Sequence, residues 1–280
     1  MTDLDTLNTS SAAAFVAALD GVFELAPWVA ESVAGARPFP TVTALHDALM
    51  QAVESAPAER IVLFLGAHPE LSARALPPDL TSDSTAEQTG LSMAGASGSA
   101  DLPALNRAYR DRFGIPFIIC VARHTPENVL RTLIARLNGS PTQERAAALA
   151  EVRRITRLRL VARLTGPGMP STTGHLSTHV LDTSLGRPAV GLVVTLRQEG
   201  RVLTTVTTDE DGRTPALLPT GPLRQGQHTL SFDAGAYFTA RNQPTLYGSI
   251  PIPFEITEPE GRYHIPLLLA PFGYSTYRGS

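Results

Sequence analysis

The sequence contains very little cysteine and no excess of positive charge. Cys120 is the single cysteine among 280 residues, so no internal disulfide can form, which is typical of proteins from a reducing compartment. The 23 lysines and arginines are balanced by 26 acidic residues, without the basic patch typical of nucleic-acid binders. No apolar run reaches the length of a membrane span, and the first residues lack the pattern of a signal peptide. We therefore expect a cytoplasmic protein with neither nucleic-acid nor membrane partners.

The first half of the chain has the hydrophobic periodicity of helices. Hydrophobic residues make up 43% of the sequence and charged residues 18%, which is enough apolar surface for a packed core. Apolar residues recurring at spacings of three and four predict helices over residues 11–23, 41–56, 125–139 and 141–164. The run RIVLFLGA (60–67) fits a strand or a buried helix, and we interpret it as a helix because its neighbours are helical. These elements predict an all-α domain over residues 1–164.

The second half has the pattern of strands. It follows a segment rich in Gly and Pro, residues 165–174, whose composition is that of a linker. Short runs rich in Val, Thr, Phe and Tyr then alternate with turn residues: LSTHVLDTS, AVGLVVTLRQ, RVLTTVTTDEDG, QHTLSFDAG, SIPIPFEIT and GRYHIPLLLA. Glu199 and Gly200 predict a hairpin turn between two of these runs. Regularly spaced short strands favour a β-sandwich over residues 175–280, so the predicted fold class is a multidomain chain, all-α and then all-β.

Two histidines and one arginine stand out in the β half. Alternation along LSTHVLD places His179 on the same face as Leu181. His264 is flanked by strand-forming residues, and Arg213 follows the turn-like sequence DEDG. Each histidine alone is explained as a core or interface residue. Two histidines without a nearby carboxylate pattern are a poor ligand set, so we expect no metal site.

Three segments of the β half resemble a known family. LSTHVLDTSLGRPA (176–189), DGR (211–213) and YHIPLLLAPFGYSTYRGS (263–280) resemble the signature segments of 5-hydroxyisourate hydrolase, a transthyretin-related family. The resemblance implies a transthyretin-like sandwich whose C-terminal tetrapeptide folds into the active site. Transthyretin itself, a binding protein of the same fold, lacks the histidine and arginine signature and the YRGS ending.

Carried over residue by residue, this resemblance implies a hydrolytic site. A histidine that titrates near neutral pH can activate water, and an arginine can hold the anionic ring or the developing oxyanion. His264 is assigned as the base and His179 as its partner, although coupled groups share their titration. The implied catalytic residues are His179, Arg213, His264 and Ser280, and the implied substrate-binding residues are Tyr277, Arg278 and Gly279.

In the helical half, two polar motifs and one arginine stand out. Ser84 and Glu87 in LTSDSTAEQ have the spacing of a capping box, and His68 in GAHPEL precedes a proline, which favours an extended or turn conformation. Arg159 follows Ile155 by one helical turn, on or beside an apolar stripe. A buried arginine needs an acceptor. That acceptor is either an internal carboxylate or the carboxylate of a ligand.

An ordered set of motifs in this half resembles a second family, 2-oxo-4-hydroxy-4-carboxy-5-ureidoimidazoline (OHCU) decarboxylase. The motifs are FELAPWV (23–29), RPF (37–39), HPEL (68–71), LTxxSxxEQ (80–88), LNxxY (105–109), FGIPFIIC (113–120) and RLRL (157–160). The family usually continues EQxxAG, whereas this chain has EQTGLSMAG and then a short stretch rich in Gly and Ser. That departure concerns the loop after Gln88.

This second resemblance implies a cofactor-free decarboxylase site. The conjugated ring of the substrate can delocalise the anion left by decarboxylation, so neither a metal nor an organic cofactor is required. His68 is implied as the catalytic acid or base. The other implied catalytic residues are Glu87 and Arg159, and the implied substrate-binding residues are Pro69, Ser84, Gln88, Phe117, Ile118, Ile119, Cys120 and Val121.

The two resemblances imply consecutive reactions. Hydrolysis of 5-hydroxyisourate yields OHCU, and its decarboxylation yields (S)-allantoin and carbon dioxide. We therefore expect a bifunctional enzyme of urate degradation with these two small molecules as substrates. The families also imply a homo-oligomer, as a tetramer through the β domain with dimer contacts through the α domain. The alternative is a transthyretin-like ligand-binding or scaffold protein with two inactive sites.

Overall fold

The computed structural model describes residues 1–71 and 101–279. Its internal contacts divide the chain into two compact units. The helical unit comprises Met1–Ala122 and Pro126–Thr172, and the β unit comprises Arg123–Thr125 and Thr173–Ser280. None of the helices within the described residues is long and apolar enough to cross a membrane.

Helices dominate the first unit. In the part of the chain that the structure describes they are α1 (Leu4–Thr9), α2 (Ala12–Ala18), α3 (Pro27–Val33), α4 (Val42–Glu54), α5 (Ala58–Gly66), α6 (Leu102–Phe113), α7 (Pro126–Arg136) and α8 (Pro141–Arg163). Short 3₁₀ turns cover Ala34–Ala36 and Val121–Arg123. Strands β1 (Thr2–Asp3) and β2 (Leu164–Thr165) pair in parallel, so Thr165 of the predicted linker belongs to a strand.

Side-chain caps explain where two of the predicted helices begin. Thr41 Oγ1 accepts a hydrogen bond from the Ala44 amide at 3.0 Å, which starts α4. Ser140 and Gln143 form a capping box at the start of α8, with proline at its first position. Residues 60–66 of the ambiguous run lie within α5 and Ala67 caps its end, so its interpretation as a helix is confirmed.

Two predicted helices are shorter than expected. The helix predicted over 11–23 ends at Ala18, and the one predicted over 125–139 ends at Arg136. Gly21 has φ +74°, a left-handed conformation that cannot continue an α-helix. Apolar residues beyond Ala18, including Val22 and Phe23, are still buried, because a turn packs them onto the same core.

Two apolar clusters form the core of the helical unit. The larger one joins α1 to α5 with α8, through fully buried side chains such as Phe15, Leu49 and Leu160. The second cluster joins α6, α7 and the extended segment after Gly114, around Tyr109 and Leu133. Each buried side chain of this size contributes about 1.5–3 kcal/mol relative to exposure.

The β unit contains two four-stranded sheets. Its strands are β3 (His175–Ser177), β4 (Val180–Asp182), β5 (Arg187–Pro188), β6 (Val193–Gln198), β7 (Arg201–Thr207), β8 (Gly226–Asp233), β9 (Ser249–Ile256), β10 (Arg262–His264), β11 (Leu267–Ala270) and β12 (Gly273–Thr276). The sheets have the strand orders β12-β11-β4-β5 and β7-β6-β8-β9, and β10 pairs in parallel with β3. A short helix, α9 (Ala234–Thr239), follows β8 and is capped by Asp233.

The β unit confirms the predicted all-β domain. Glu199 and Gly200 join β6 to β7 with φ +46° and +82°, which are the two positive values that a type I′ hairpin requires. Apolar residues from both sheets form one cluster, including Val194, Leu230 and Leu267. The sequence analysis missed α9, because AGAYFT is too short to show a helical period.

Candidate active sites

A tight turn positions Arg213 opposite His179. The Asp209 carboxylate accepts hydrogen bonds from the amides of Asp211 at 3.0 Å and Arg213 at 2.9 Å. Gly212, with φ +70°, lies within the turn, and its carbonyl accepts a hydrogen bond from the Val180 amide at 2.8 Å. Arg213 and His179 then form an isolated antiparallel bridge. The turn therefore places a permanent positive charge beside a histidine from another strand.

The alternation predicted for LSTHVLD is present in the structure. Thr178 and Val180 are buried in the sandwich, whereas Ser177, His179 and Leu181 are only partly buried. Since His179 lies on the face away from the core, the explanation that it is a core histidine is wrong. The side chain of His179 therefore lies on the same side of the strand as that of Ser177.

His264 lies beside this strand. β10 and β3 pair in parallel so that His264 is opposite Ser177, and the Ser177 Oγ lies 2.9 Å from His264 Nδ1. Burial lowers the pKa of His264, and the charges of Arg213, His179 and His175 lower it further. The imidazole is therefore neutral at neutral pH, the form in which one ring nitrogen can accept a proton.

The C-terminal residues fold back onto His264. β12 pairs antiparallel with β11, and the amide of Gly279 donates a hydrogen bond to the His264 carbonyl at 2.8 Å. A Cβ added to Gly279 would lie 2.5 Å from His264 Cδ2, so only glycine fits without a shift. Arg278 places its guanidinium 5.2 Å from the centre of the Tyr263 ring, and Tyr277 is 56% exposed.

A cavity lies at this end of the β unit, beside the C-terminal segment. Its volume is about 250 Å³, it is bounded by β9 on the other side, and Tyr263, Ile265, Tyr277 and Arg278 are among its lining residues. The last predicted catalytic residue, Ser280, lies outside the described residues.

Gly279→Ala should therefore damage this site selectively. The added methyl group must displace either the His264 ring or the terminal segment, and a displacement of about 1 Å in a site can cost on the order of 10²-fold in rate. We expect hydrolysis of 5-hydroxyisourate to slow by about 10- to 100-fold, measured by ultraviolet absorbance. The matched control is Gly273→Ala in β12, where an added Cβ meets no atom within 4 Å. Equal activity of the two variants would contradict the role of the close contact at Gly279.

In the helical unit, the end of α5 positions His68. The His68 amide donates to the Leu65 carbonyl at 3.2 Å, and Nδ1 lies 3.1 Å from the Phe64 carbonyl oxygen. A carbonyl oxygen can only accept, so Nδ1 carries the proton and Nε2 holds the lone pair in the neutral ring. Pro69 follows, partly buried, and the Asn106 side chain donates to the Leu71 carbonyl at 2.9 Å, which ties the end of the HPEL motif to α6.

Arg159 is buried on α8 and forms an ion pair with Glu24. The Arg159 Nη1 donates to Glu24 Oε2 at 2.8 Å and to the Gly21 carbonyl at 3.2 Å. The two charged side chains are 5% and 3% exposed. The internal carboxylate that the sequence analysis held open as one alternative is therefore present. Glu24 lies within the motif FELAPWV, but no role was predicted for it. The need of a buried arginine for an acidic partner was the signal that could have identified it.

His68, Glu24 and Arg159 influence one another electrostatically. Burial lowers the pKa of His68 from its ordinary value of 6.5 to about 4. The hydrogen bond to Phe64 and the charge of Glu24 oppose this shift, and the charge of Arg159 adds to it. His68 is consequently neutral at physiological pH and is set up as a proton acceptor.

The predicted substrate-binding segment from Phe117 to Val121 is buried throughout. The Cys120 amide donates to Glu151 Oε2 at 2.9 Å, and the Ile118 carbonyl accepts from Arg136 Nη1 at 2.8 Å. These hydrogen bonds attach the segment to Arg136 of α7 and to Glu151 of α8. Three further predicted residues, Ser84, Glu87 and Gln88, and the predicted capping box formed by two of them, lie outside the described residues.

Within residues 1–71 and 101–279, no group of three or more His, Cys, Asp or Glu side chains is arranged to hold a metal ion.

Buried histidines should make the helical unit sensitive to acid. Burial lowers the pKa of both His46 and His68 from 6.5 to about 4, so the unfolded chain binds more protons than the folded unit between these two pH values. The contribution of these two histidines to the stability of the folded unit is complete above pH 6.5 and is lost as the pH falls toward 4. Each histidine contributes at most about 3 kcal/mol.

We expect the denaturant midpoint of the helical unit to fall over this pH range. Trp28, the only tryptophan in the chain, packs on Phe64 and reports unfolding of this unit by its fluorescence. In His46→Gln, the midpoint should fall less over this range than in the wild type, because the contribution of His46 is removed. A midpoint that stays constant between pH 6.5 and 4 would disprove this origin of acid sensitivity.

Comparisons with known proteins agree with this division of the chain. The model of the OHCU decarboxylase family matches residues 8–161, and the model of the HIUase/transthyretin family matches residues 176–279. The β half is 45% identical over 119 residues to 5-hydroxyisourate hydrolase 2 of Rhizobium meliloti (strain 1021), covering 39% of this chain and 99% of that protein. The chain belongs to both families.

Two further relatives extend the comparison to the decarboxylase half and to the whole chain. The OHCU decarboxylase of Haloferax volcanii is 36% identical over 162 residues, which is 57% of this chain and 95% of that protein. A crystal structure of (S)-allantoin synthase matches all of both chains, with 29% sequence identity and a TM-score of 0.53. The predicted combination of a decarboxylase family domain and a hydrolase family domain is confirmed.

Proposed function

We propose that this chain is a bifunctional enzyme of urate degradation. Its β unit hydrolyses 5-hydroxyisourate to OHCU, and its helical unit decarboxylates OHCU to (S)-allantoin and carbon dioxide. The observation that carries the proposal is that one chain joins members of two families whose reactions share an intermediate. The similarity to (S)-allantoin synthase over the full length of both chains supports the same conclusion.

In the hydrolase site, His264 is the proposed base. Its neutral imidazole takes a proton from water, and the resulting hydroxide attacks the ring carbonyl. Arg213 stabilises the negative charge that develops on the carbonyl oxygen, because a guanidinium stays protonated at any physiological pH. The C–N bond then breaks, and the proton is delivered to the leaving nitrogen. His179, which forms a backbone bridge with Arg213, is the proposed partner of His264.

In the decarboxylase site, His68 is the proposed proton carrier. Its unprotonated nitrogen accepts the hydroxyl proton of OHCU as the C–C bond to the carboxylate breaks. The electron pair is delocalised into the conjugated ring, and His68 returns the proton to the ring carbon. Arg159, held by Glu24, contributes positive charge beside the substrate carboxylate. Glu87 and Gln88 are proposed to bind the ureido group, with Ser84, Pro69 and Phe117 to Val121 completing the pocket. Neither step requires a cofactor.

The test uses fresh 5-hydroxyisourate generated from urate. With the full-length protein, ultraviolet absorbance should fall faster than in buffer, and the circular dichroism of one allantoin enantiomer should grow in the same sample. Accelerated loss of absorbance without dichroism would show hydrolysis alone. Decay at the rate of buffer alone would refute both activities and favour the alternative of a transthyretin-like binding or scaffold protein with inactive sites.

We also propose that the protein works as a homo-oligomer in the cytoplasm. Strands β9 and β12 are edge strands of the two sheets, and an edge strand can pair with a second chain, although Pro251 and Pro253 of β9 have no N–H to donate. A tetramer through the β domain with dimer contacts through the α domain is the expected assembly, and light scattering measures its mass. The division into residues 1–164, a linker at 165–174 and residues 175–280 belongs to the same proposal.

A further inference from the structure

We propose that Ser177 is a positioning residue of the hydrolase site, which fixes the ring of His264 so that Nε2 exchanges the proton with water. This inference rests on the hydrolase activity proposed above. Ser177 belongs to none of the residues that the sequence analysis assigned to the site.

The contact follows from the pairing of two strands. His264 of β10 lies opposite Ser177 of β3, and the Ser177 carbonyl accepts a hydrogen bond from the Ile265 amide at 3.0 Å. The ladder therefore fixes both backbones side by side. The Ser177 Oγ and the His264 Nδ1 then meet at 2.9 Å, which is a normal hydrogen-bond distance.

A second contact fixes the other edge of the ring. Because glycine has no side chain, the terminal segment at Gly279 can lie against Cδ2, Cγ and Cβ of His264. Ser177 holds the Nδ1 edge and Gly279 holds the Cδ2 edge. Because Nδ1 is hydrogen-bonded to the serine, Nε2 is the nitrogen that exchanges a proton with water.

We assign Nδ1–H as the donor and the serine oxygen as the acceptor of this hydrogen bond, since a hydroxyl can take either role and only this direction leaves Nε2 as the base. A free neutral imidazole exchanges its proton between both nitrogens. When Nδ1–H donates to the serine oxygen, Nε2 keeps its lone pair and can act as the base. This is the arrangement in which a third group orients a catalytic histidine. The hydroxyl also stabilises the imidazolium that forms when Nε2 takes a proton, since Nδ1–H still has its acceptor.

The charges around His264 act against that protonated form. Arg213, His179 and His175 each lower the pKa of His264, and His175 lies on the same face of β3 as Ser177. The other ionisable groups of the neighbouring segments are Arg262 and Tyr263 on β10, and Tyr277 and Arg278 on the C-terminal segment. The hydrogen bond with the backbone of Ser177 opposes these charges and raises the pKa of His264, and the Ser177 hydroxyl at Nδ1 is a second acceptor for the imidazolium.

The variants Ser177→Ala and Ser177→Thr in the full-length protein separate positioning from packing. We expect Ser177→Ala to lower the kcat of hydrolysis by about 10- to 100-fold, with KM nearly unchanged, and His264→Asn to lower kcat by about 10²- to 10⁴-fold. The acid limb of the pH profile of kcat/KM should move to lower pH in Ser177→Ala, because an acceptor for the imidazolium is lost. Ser177→Thr keeps the hydroxyl and should recover most of the activity. Decarboxylation of OHCU by the same samples checks that the helical unit of each variant is intact.

Several outcomes would overturn the inference while leaving the proposed function in place. One is that the wild-type protein hydrolyses 5-hydroxyisourate and the Ser177→Ala variant is equally active. Another is a threonine variant as slow as the alanine variant. Nitrogen-15 NMR of histidine-labelled wild-type protein gives a reading that does not depend on any variant folding. A neutral His264 with its proton on Nδ1 is expected, and a proton on Nε2 would contradict the assignment. Failure of the wild type to hydrolyse 5-hydroxyisourate would instead remove the proposed function itself.

Discussion

His68→Asn is expected to slow decarboxylation of OHCU by about 10²- to 10⁴-fold while leaving hydrolysis of 5-hydroxyisourate unchanged. The imidazole of His68 is buried, and burial lowers its pKa to about 4, so it is a neutral base at physiological pH. An asparagine of similar size can keep the hydrogen bond to the Phe64 carbonyl, but it cannot accept and return a proton. The variant should therefore convert 5-hydroxyisourate rapidly and then release OHCU, which decays without stereocontrol.

The measurement follows absorbance and circular dichroism in one sample. His46→Asn is a matched control, because His46 is also buried in the helical unit, with a pKa lowered to about 4, and is hydrogen-bonded to Thr156 at 2.9 Å. It should cost stability and leave the activity per folded molecule near that of the wild type. If His68→Asn still produces one allantoin enantiomer at the normal rate, His68 is not the proton carrier.

Arg159→Met is expected to destabilise the helical unit by about 3–5 kcal/mol. The substitution removes the Arg159 cation from the Glu24 carboxylate, which is 3% exposed and so is poorly compensated by solvent. Arg153→Met on the same helix is the control, because Arg153 is 32% exposed and its partners Asp47 and Glu54 are exposed as well. Its loss should cost about 0–1 kcal/mol.

The stability of each variant is measured by denaturant unfolding of the helical unit, followed by Trp28 fluorescence. The double variant Glu24→Leu with Arg159→Met removes both charges and should recover much of the lost stability, since the desolvation cost disappears with the pair. Its decarboxylase activity should nevertheless stay low, because no cation remains beside the substrate carboxylate. A single Arg159→Met variant as stable as Arg153→Met would show that the Glu24 carboxylate does not depend on this arginine.

Both fold classes could be predicted from local patterns. Helical spacing, caps such as Thr41 and Ser140, and the hairpin at Glu199 and Gly200 depend on neighbours a few residues apart, and a sequence displays such neighbours directly. The alternation that exposes His179 was predicted for the same reason. The predicted ends of α2 and α7 were too far along the chain, because apolar residues can stay buried in a turn after the helix has ended.

The candidate sites were predicted in part. His68, His179, Arg213 and His264 came from motifs, and the structure brings the last three into electrostatic reach of one another. Glu24 and Ser177 were not assigned, since each contacts a residue that is far away in the sequence. The ion pair joins residues 135 positions apart, and the hydrogen bond joins residues 87 positions apart.

The sequence by itself determined the two families, the order of the two folds and the residue types that do the chemistry. Only the tertiary structure decided which charge partner holds Arg159, which nitrogen of His264 is engaged, and how closely the C-terminal segment approaches that ring. The physical reason is the range of the interactions. Helix and hairpin propensities act between adjacent residues, whereas ion pairing, tautomer selection and desolvation depend on groups that meet only when distant strands and helices pack.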